Sequence, residues 1–394
     1  MNLDDATVRD LIDLTDEVGV LSFYVGHTPS RAADPQPAAP IEIRNQLKAL
    51  RTQLADGDRD VARAVENRVR AIDGQLEALF DPKSSGQGRA LFVAVGSGEE
   101  ASLNVQVPFK ERVIFDANAY VRPLVAALDE GRPAGILVAS RHGSRLLRWS
   151  HEGAEVVDES TFVVEDQVFA EEKAGPAMAN PSNPQHAHVD RDQFEDRLDE
   201  NRARHFKEIV TDTAQRAEAE GWDRLVVSGP PKLRDELAAQ LEAVATSSRV
   251  LRAEQAWEDA TPPQIASSVW PLLRSVHLDR ERELVESARH RAFSGGPGAV
   301  GLRNVCAALN EGRVAHLLYD VTLDLEGYVS DEGTLHPRVE GVVAQSDVGL
   351  RRDRLFVERM LEKAISTSAA VTAVSDDTAE PLREHEGVAA LLRW

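Results

Sequence analysis

The sequence predicts an α/β protein of several domains. Three observations carry that expectation. The 394 residues exceed what one hydrophobic core usually serves. Short apolar runs of strand length alternate with segments whose apolar residues recur at helical spacing. A Pro- and Asn-rich stretch near the middle, AGPAMANPSNPQHAH, fits neither period and separates strand-like from helix-like sequence. The hydrophobic share of 42% and charged share of 28% are those of an ordinary globular chain.

In the first segment Ala6 to Leu14 reads as a short helix and Val18 to Val25 as a buried strand. A Pro- and Ala-rich loop follows at Pro29 to Pro40. Leu47, Leu50 and Leu54, then Val65, Val69, Ile72, Leu76 and Leu79, mark two helices that meet at the acidic turn ADGDRD, a helical hairpin for one face of a sheet. Ser84 to Gly88 reads as a turn; Ala90 to Val95, Leu103 to Val107 and Val113 to Phe115 as strands; and Val121 to Leu128 as a helix. No phosphate-cradling loop is present in this segment, since no helix with Lys and Ser or Thr follows its glycines.

The second segment opens with GILVAS, SRLLRWS and AEVVDE, three strands joined by short polar turns, an antiparallel meander. After the Pro- and Asn-rich stretch and a charged helix come the strand at Trp222 to Ser228, the turn Gly229-Pro230-Pro231 and the helix KLRDELAAQLEAV. A helix starting at Pro262 is expected to continue through Trp270 to about Arg291. In the third segment the Gly-rich turn at Ser294 to Gly301 leads to the helix LRNVCAALNEG and the strand RVAHLLYD. A polar irregular region spans Leu325 to Val348, and the helix DRLFVERMLEKAIST, the strand AAVTAVSD and the closing GVAALLRW complete the chain. The expected domains are 1–131, an N-terminal α/β domain; 132–265, a middle domain carrying a loop at 174–193; and 266–394, a C-terminal domain.

That loop is the expected working tip. Pro176, Pro181 and Pro184 prevent a regular element across it. The helix after it has Phe194, Leu198, His205, Phe206 and Ile209 on its apolar face. Long irregular loops inside compact domains are usually functional, the alternative being a disordered surface insertion.

The net charge of −21 argues against indiscriminate nucleic-acid binding and leaves room for local contact at arginine clusters. Two stand out, Arg197, Arg202 and Arg204 on the charged helix, and Arg351, Arg352, Arg354 and Arg359 near the end, and both have the pattern of solvated helix faces laced with Glu and Asp. Cys306 cannot form an intramolecular disulfide, being the single cysteine, and its helical context is that of a small buried apolar residue. No apolar run reaches the roughly 20 residues that span a bilayer, and the acidic start does not read as a signal peptide, so no membrane partner and a cytoplasmic location are expected.

The order VGLRNVCAALNEGRVAHLLY, AAVTAVSD and GVAALLRW resembles the C-terminal domain of the archaeal and eukaryotic class I peptide-release factor and its relative Pelota. The opening strands at Gly135 to Val157, the helix RLDENRARHFKEIV and the motif LVVSGPPKLRDEL resemble that family's middle domain. LSFYVG with the helical hairpin and YVRPLVAAL resemble the bacterial branch, the group that includes the ribosome-hibernation factor Balon. The resemblance implies an RNase H-like middle domain and a C-terminal α/β/α domain. It also implies binding of the 70S ribosome at the A site, with delivery by a translational GTPase of the EF-Tu class and with no cofactor, metal or DNA partner. No codon-reading Asn-Ile-Lys-Ser is present in the first segment.

Where the family carries Gly-Gly-Gln, this chain has Asn180-Pro181-Ser182-Asn183-Pro184-Gln185-His186-Ala187-His188. Pro184 fixes φ ahead of Gln185 and restricts Asn183, the reverse of what paired glycines allow. The resemblance then implies a non-catalytic hibernation or rescue factor acting in the stress response. In it Asn180, Asn183, Gln185, His186 and His188 would meet rRNA, and Arg191, Arg197, Arg202 and Arg204 would meet its phosphates. The alternative is a peptidyl-tRNA hydrolase or release factor in which Gln185, with His186 or His188, activates water. A metal site on His186 and His188 lacks partners of known spacing. A nuclease would need an acidic metal cluster that the sequence does not show.

Overall fold

The computed structural model describes residues 3–26, 38–55, 57–81, 86–140, 142–161, 204–337 and 349–394. They form two compact units, one of residues 1–132 and 274–394 and the other of 133–273. The fold is mixed α/β.

The outer unit begins with helix α1 (Asp5–Asp13), whose Asp4 side chain accepts from the Thr7 N–H at 2.6 Å and so caps it. A four-stranded antiparallel sheet follows, in the order β3 (Glu100–Val105), β2 (Gly88–Ala94), β1 (Thr15–Gly26), β4 (Arg112–Asn118). Strand β1 is central and buried on both faces. Leu21, Phe23 and Val25 enter a core with Leu47, Val65, Val69, Ile72 and Leu76 from helices α2 (Ala38–Ala55), α3 (Arg59–Ala71) and α4 (Asp73–Leu79). That is the expected hairpin on the sheet, with a break at Ile72 between α3 and α4. Ser22 and Tyr24 take the opposite face, where the Ser22 Oγ accepts from the Tyr120 N–H at 2.9 Å and the Tyr24 hydroxyl donates to the Tyr120 carbonyl.

The later part of this unit is a second sheet, β10 (Gly298–Val300), β16 (Val388–Leu392), β11 (Val314–Asp320), β15 (Ala370–Val374), with β11 and β15 parallel. The expected glycine-rich turn therefore contains a three-residue strand. Helix α5 (Arg122–Glu130) packs along β15. The region from Leu325 is more ordered than its polarity suggested, because β12 (Gly327–Ser330), β13 (Leu335–Pro337) and β14 (Leu350–Asp353) form a small antiparallel sheet in the order β13-β12-β14. Residues 338–348 lie outside the described residues.

The middle unit is built on a five-stranded sheet, β7 (Gly153–Thr161), β6 (Gly143–Ser150), β5 (Ala134–Ala139), β8 (Arg224–Ser228), β9 (Arg249–Arg252). The first three are antiparallel and β5, β8 and β9 are parallel. In chain order within the unit this is 3-2-1-4-5, the arrangement of an RNase H-like sheet. One face packs on helix α6 (204–220) and helix α7 (Pro231–Val244) through Phe206, Val210, Leu237 and Leu241. The other packs on the start of helix α8 (Pro262–Phe293) through Ile265, Val269 and Leu273.

Candidate functional site at the base of the central loop

Most of the residues expected to work fall outside the described set: Asn180, Asn183, Gln185, His186, His188, Arg191, Arg197 and Arg202, together with Phe194 and Leu198. The two ends that carry this segment are described. Strand β7 ends at Thr161, and helix α6 begins at Arg204, an exposed residue and the one expected phosphate contact within the described set.

These ends meet. His205 Nε2 lies 3.4 Å from the Ser160 Oγ, and Ser160 Oγ lies 3.2 Å from Ser144 Oγ on the neighbouring strand β6. One turn along α6, Phe206, Ile209 and Val210 are buried against Leu137, Leu146 and Leu225, so the apolar side of the helix anchors it while His205 reaches the strand end. Thr161 and Arg204, the described residues on either side of 162–203, therefore both lie at the end of the meander.

A cleft of about 180 Å³ opens there, with walls that include Ser140, Ser144, Arg145, Glu159, Ser160 and Thr161. Its floor depends on a close approach at Gly143, where a Cβ would stand 2.1 Å from the Ser160 carbonyl oxygen. Arg145 closes one side. Its Nη2 donates to the carbonyls of Trp257, Glu258 and Ala260 at 3.0, 2.7 and 3.1 Å, which fixes the 257–260 turn beside the strands. Behind it the Ser228 hydroxyl donates to the Gln255 carbonyl at 2.9 Å and accepts from the Trp257 N–H at 3.0 Å. The cleft is thus lined by hydroxyls, one guanidinium and carboxylates. This surface suits hydrogen bonding to polar groups better than burial of apolar ones.

The expected loop bounds, 174 and 193, lie outside the described residues, and sequence reasoning missed the cleft. Arg145 and Ser144 alternate along SRLLRWS as strand residues do, but their partners at 160 and 257–260 are distant in sequence and carry no local signature. Among the described residues no group of three or more His, Cys, Asp or Glu is placed to hold a metal ion. Cys306 is buried as expected, and burial pushes its thiol up to about 12, so it is no nucleophile. Among the described residues no helix is long and apolar enough to cross a membrane.

The second arginine cluster is not one face. Arg359 is buried on helix α9 (Phe356–Ser366) and paired with Asp116, Asp353 and Glu362, whereas Arg351, Arg352 and Arg354 are exposed on or beside strand β14. The expectation of a solvated helix face is corrected for all four.

Residues 120–269 match the family model described as bacterial archaeo-eukaryotic release factor family 10. Among curated proteins no match is found. Solved structures to which the chain is similar include ribosome-bound archaeal Pelota with ABCE1, at 13% identity over 100% of this chain and 95% of that one, TM-score 0.41. Pelota of Archaeoglobus fulgidus is 18% identical over 78% and 79%, TM-score 0.36. The archaeal translation termination factor aRF1 is 16% identical over 100% and 99%, TM-score 0.24. Such scores are too low to transfer geometry from those proteins. The family match covers the RNase H-like sheet, its cleft and the segment between Thr161 and Arg204, and it is over these residues that the chain is similar to the bacterial archaeo-eukaryotic release factors.

Proposed function

We propose that this protein is a ribosome-associated factor of release-factor type that occupies the A site without cleaving peptidyl-tRNA. The observation that carries this reading is the pairing of a release-factor family match over 120–269 with a sequence that contains no Gly-Gly-Gln. The loop that would face the peptidyl-transferase centre has Pro184 where backbone freedom is needed and presents amides and imidazoles as hydrogen-bonding groups. In this reading Asn180, Asn183, Gln185, His186 and His188 contact rRNA bases, Arg191, Arg197, Arg202 and Arg204 contact phosphates, and the role is hibernation or rescue under stress. Delivery by EF-Tu belongs to the same proposal, as does the division at 131 and 265 into three functional parts.

Two features of the described residues support it. The loop is rooted at a rigid place, the Ser144–Ser160–His205 contact, as a probe held out from a scaffold requires. The cleft at its base offers polar groups suited to hydrogen bonding.

The test is co-sedimentation of the purified protein with 70S ribosomes through a salt series, with peptidyl-tRNA hydrolysis assayed on the same complexes. Binding without hydrolysis is expected, with a reduced salt slope when Arg197, Arg202 and Arg204 are replaced by Ala. Hydrolysis abolished by Gln185→Ala would make the protein an enzyme. Absence of binding at every salt concentration would end the ribosomal reading. Co-precipitation with EF-Tu, with and without GTP, tests the delivery step.

A further inference from the structure

The small sheet β13-β12-β14 shows an arrangement that the middle-unit reading does not use. Strands β12 and β13 pair Tyr328 with His336, and β12 and β14 pair Tyr328 with Arg352, so His336, Tyr328 and Arg352 form one row across the sheet. Directly paired residues point to the same face. His336 and Arg352 are exposed and Tyr328 is half-buried between them, whereas Val329 and Leu335 of the alternate row are buried. The face with the row is therefore the open one. The neighbouring Arg354 joins it, since Arg352 and Arg354 both meet the Glu326 carboxylate, Arg354 at 3.9 Å. Two guanidiniums on one carboxylate leave a net positive charge, and both side chains stay more than half exposed. Arg351 pairs with Val329 and so belongs to the opposite face, where it meets the buried Asp353 at 3.3 Å.

The chain carries a net charge of −21, so such a strip is not the average surface. An aromatic ring set between an imidazole and a guanidinium on an exposed sheet face is a platform for a flat, polar ring, and adjacent arginines are phosphate forks. A protein partner with an acidic patch would use the arginines and leave the central Tyr328 and His336 without a role. We infer that this face binds a short unpaired stretch of RNA, with one base stacked on Tyr328 and flanking phosphates on Arg352 and Arg354. It is a second RNA contact, in a different unit from the central loop, and it deepens the ribosomal reading without depending on that loop.

The experiment uses the full-length protein and a fluorescein-labelled single-stranded oligoribonucleotide, by anisotropy across a salt series, with duplex RNA of the same sequence as a control. Binding to the single strand is expected, weakened about tenfold or more in Arg352→Glu/Arg354→Glu, with the salt slope smaller by about 1.4 for the two lost phosphates. Tyr328→Leu should weaken binding about tenfold with an unchanged salt slope, and Tyr328→Phe should retain it. Circular dichroism melting of each variant separates misfolding from lost contact, and the Phe variant keeps the proposal testable if the Leu variant does not fold. No binding by the wild type, or a double arginine variant that binds as the wild type does, overturns the inference. If the double arginine variant binds the oligonucleotide normally but loses 70S ribosomes, the face meets protein and the RNA assignment is wrong. If the wild type binds the oligonucleotide through this face but no ribosomes, the inference stands and the ribosomal reading falls.

Discussion

The Glu358 side chain is 2% exposed, with one oxygen accepting from the Val121 N–H at 2.7 Å and the other without a hydrogen-bond partner among the described residues. Burial pushes its carboxyl up to about 8, against the pull of that N–H. In the unfolded chain the same group titrates near its ordinary 4.5. Between those values the folded state holds a proton that the unfolded state has released, so stability is full below about 4.5 and falls as pH rises towards 8. Glu358→Gln keeps the shape and removes the titration. Chemical unfolding at pH 5 and pH 8 should show the variant to be more stable at pH 8, by an amount on the order of a few kcal/mol, with little difference at pH 5. Equal pH slopes for the two proteins would refute the assignment. A second position is set by space: a Cβ at Gly135 would lie 2.4 Å from the Trp222 ring, between strands β5 and β8. Gly135→Ala should lower the stability of the middle unit by about 1–3 kcal/mol, read from its urea transition.

Among the elements, β5 and β8 were legible because GILVAS and LVVS are apolar runs bounded by turns, and in the structure every residue of both strands is buried. Helix α8 was legible over its full length because its first turns repeat Ile265, Val269 and Leu273 at helical spacing, and Pro271 does not end it. The sheet β12-β13-β14 was not legible. Its strands are three or four residues long and mostly polar, and they gain order from one another and from distant partners such as Asn310, which hydrogen-bonds the Leu335 backbone. Arg359 was misread for a related reason, since its partner Asp116 stands 243 positions away and nothing near it signals burial. The cleft fails in the same way, because its making depends on Arg145 meeting the 257–260 carbonyls. That contact is testable at the level of the turn. Arg145→Ala removes the side-chain donor from three carbonyls, of which that of Trp257 keeps the Ala260 N–H at 3.1 Å, so the amides of 254–261 should exchange with deuterium at least about tenfold faster while those of β5 keep their protection. Unchanged exchange in the turn would show that Arg145 does not hold it.

At the scale of the whole chain, the middle unit is an insertion: residues 133–273 are synthesised between the two halves of the outer unit. The outer halves are joined by buried groups that only the complete chain can pair. The Arg122 guanidinium, 8% exposed, donates from Nη1 to the Leu323 carbonyl and from Nη2 to those of Asp320 and Val321 at 2.6, 3.2 and 2.6 Å, and lies 4.9 Å from the centre of the Tyr319 ring. Asp129, on the same helix α5, accepts from Thr372 at 2.6 Å and from Arg280 at 2.8 Å. Burial works against its charge, but Arg280, His277 and the Thr372 hydroxyl together hold its carboxyl below the ordinary range. Removing Arg122 takes the side-chain donor from three backbone oxygens, of which that of Asp320 keeps the Leu323 N–H at 2.9 Å, and the cation from an aromatic face, a loss of about 3–5 kcal/mol in a setting where one buried charge served several acceptors. Arg122→Lys cannot span three carbonyls and should recover only part of it. Two consequences separate this architecture from one in which the halves fold independently. In Arg122→Ala the urea transition of the outer unit should move to lower denaturant while that of the middle unit, followed through Trp149 and Trp222 fluorescence, stays in place. A fragment of residues 1–132 should expose apolar surface and bind a hydrophobic dye, because α5 then lacks β15 and the 320–323 carbonyls. A fragment of 133–273, which carries its own sheet and both of its helical layers, should fold with a single cooperative transition. If the 1–132 fragment melts cooperatively at the temperature of the intact chain, the two halves are independent, and the Arg122 clamp decorates the fold without holding it together.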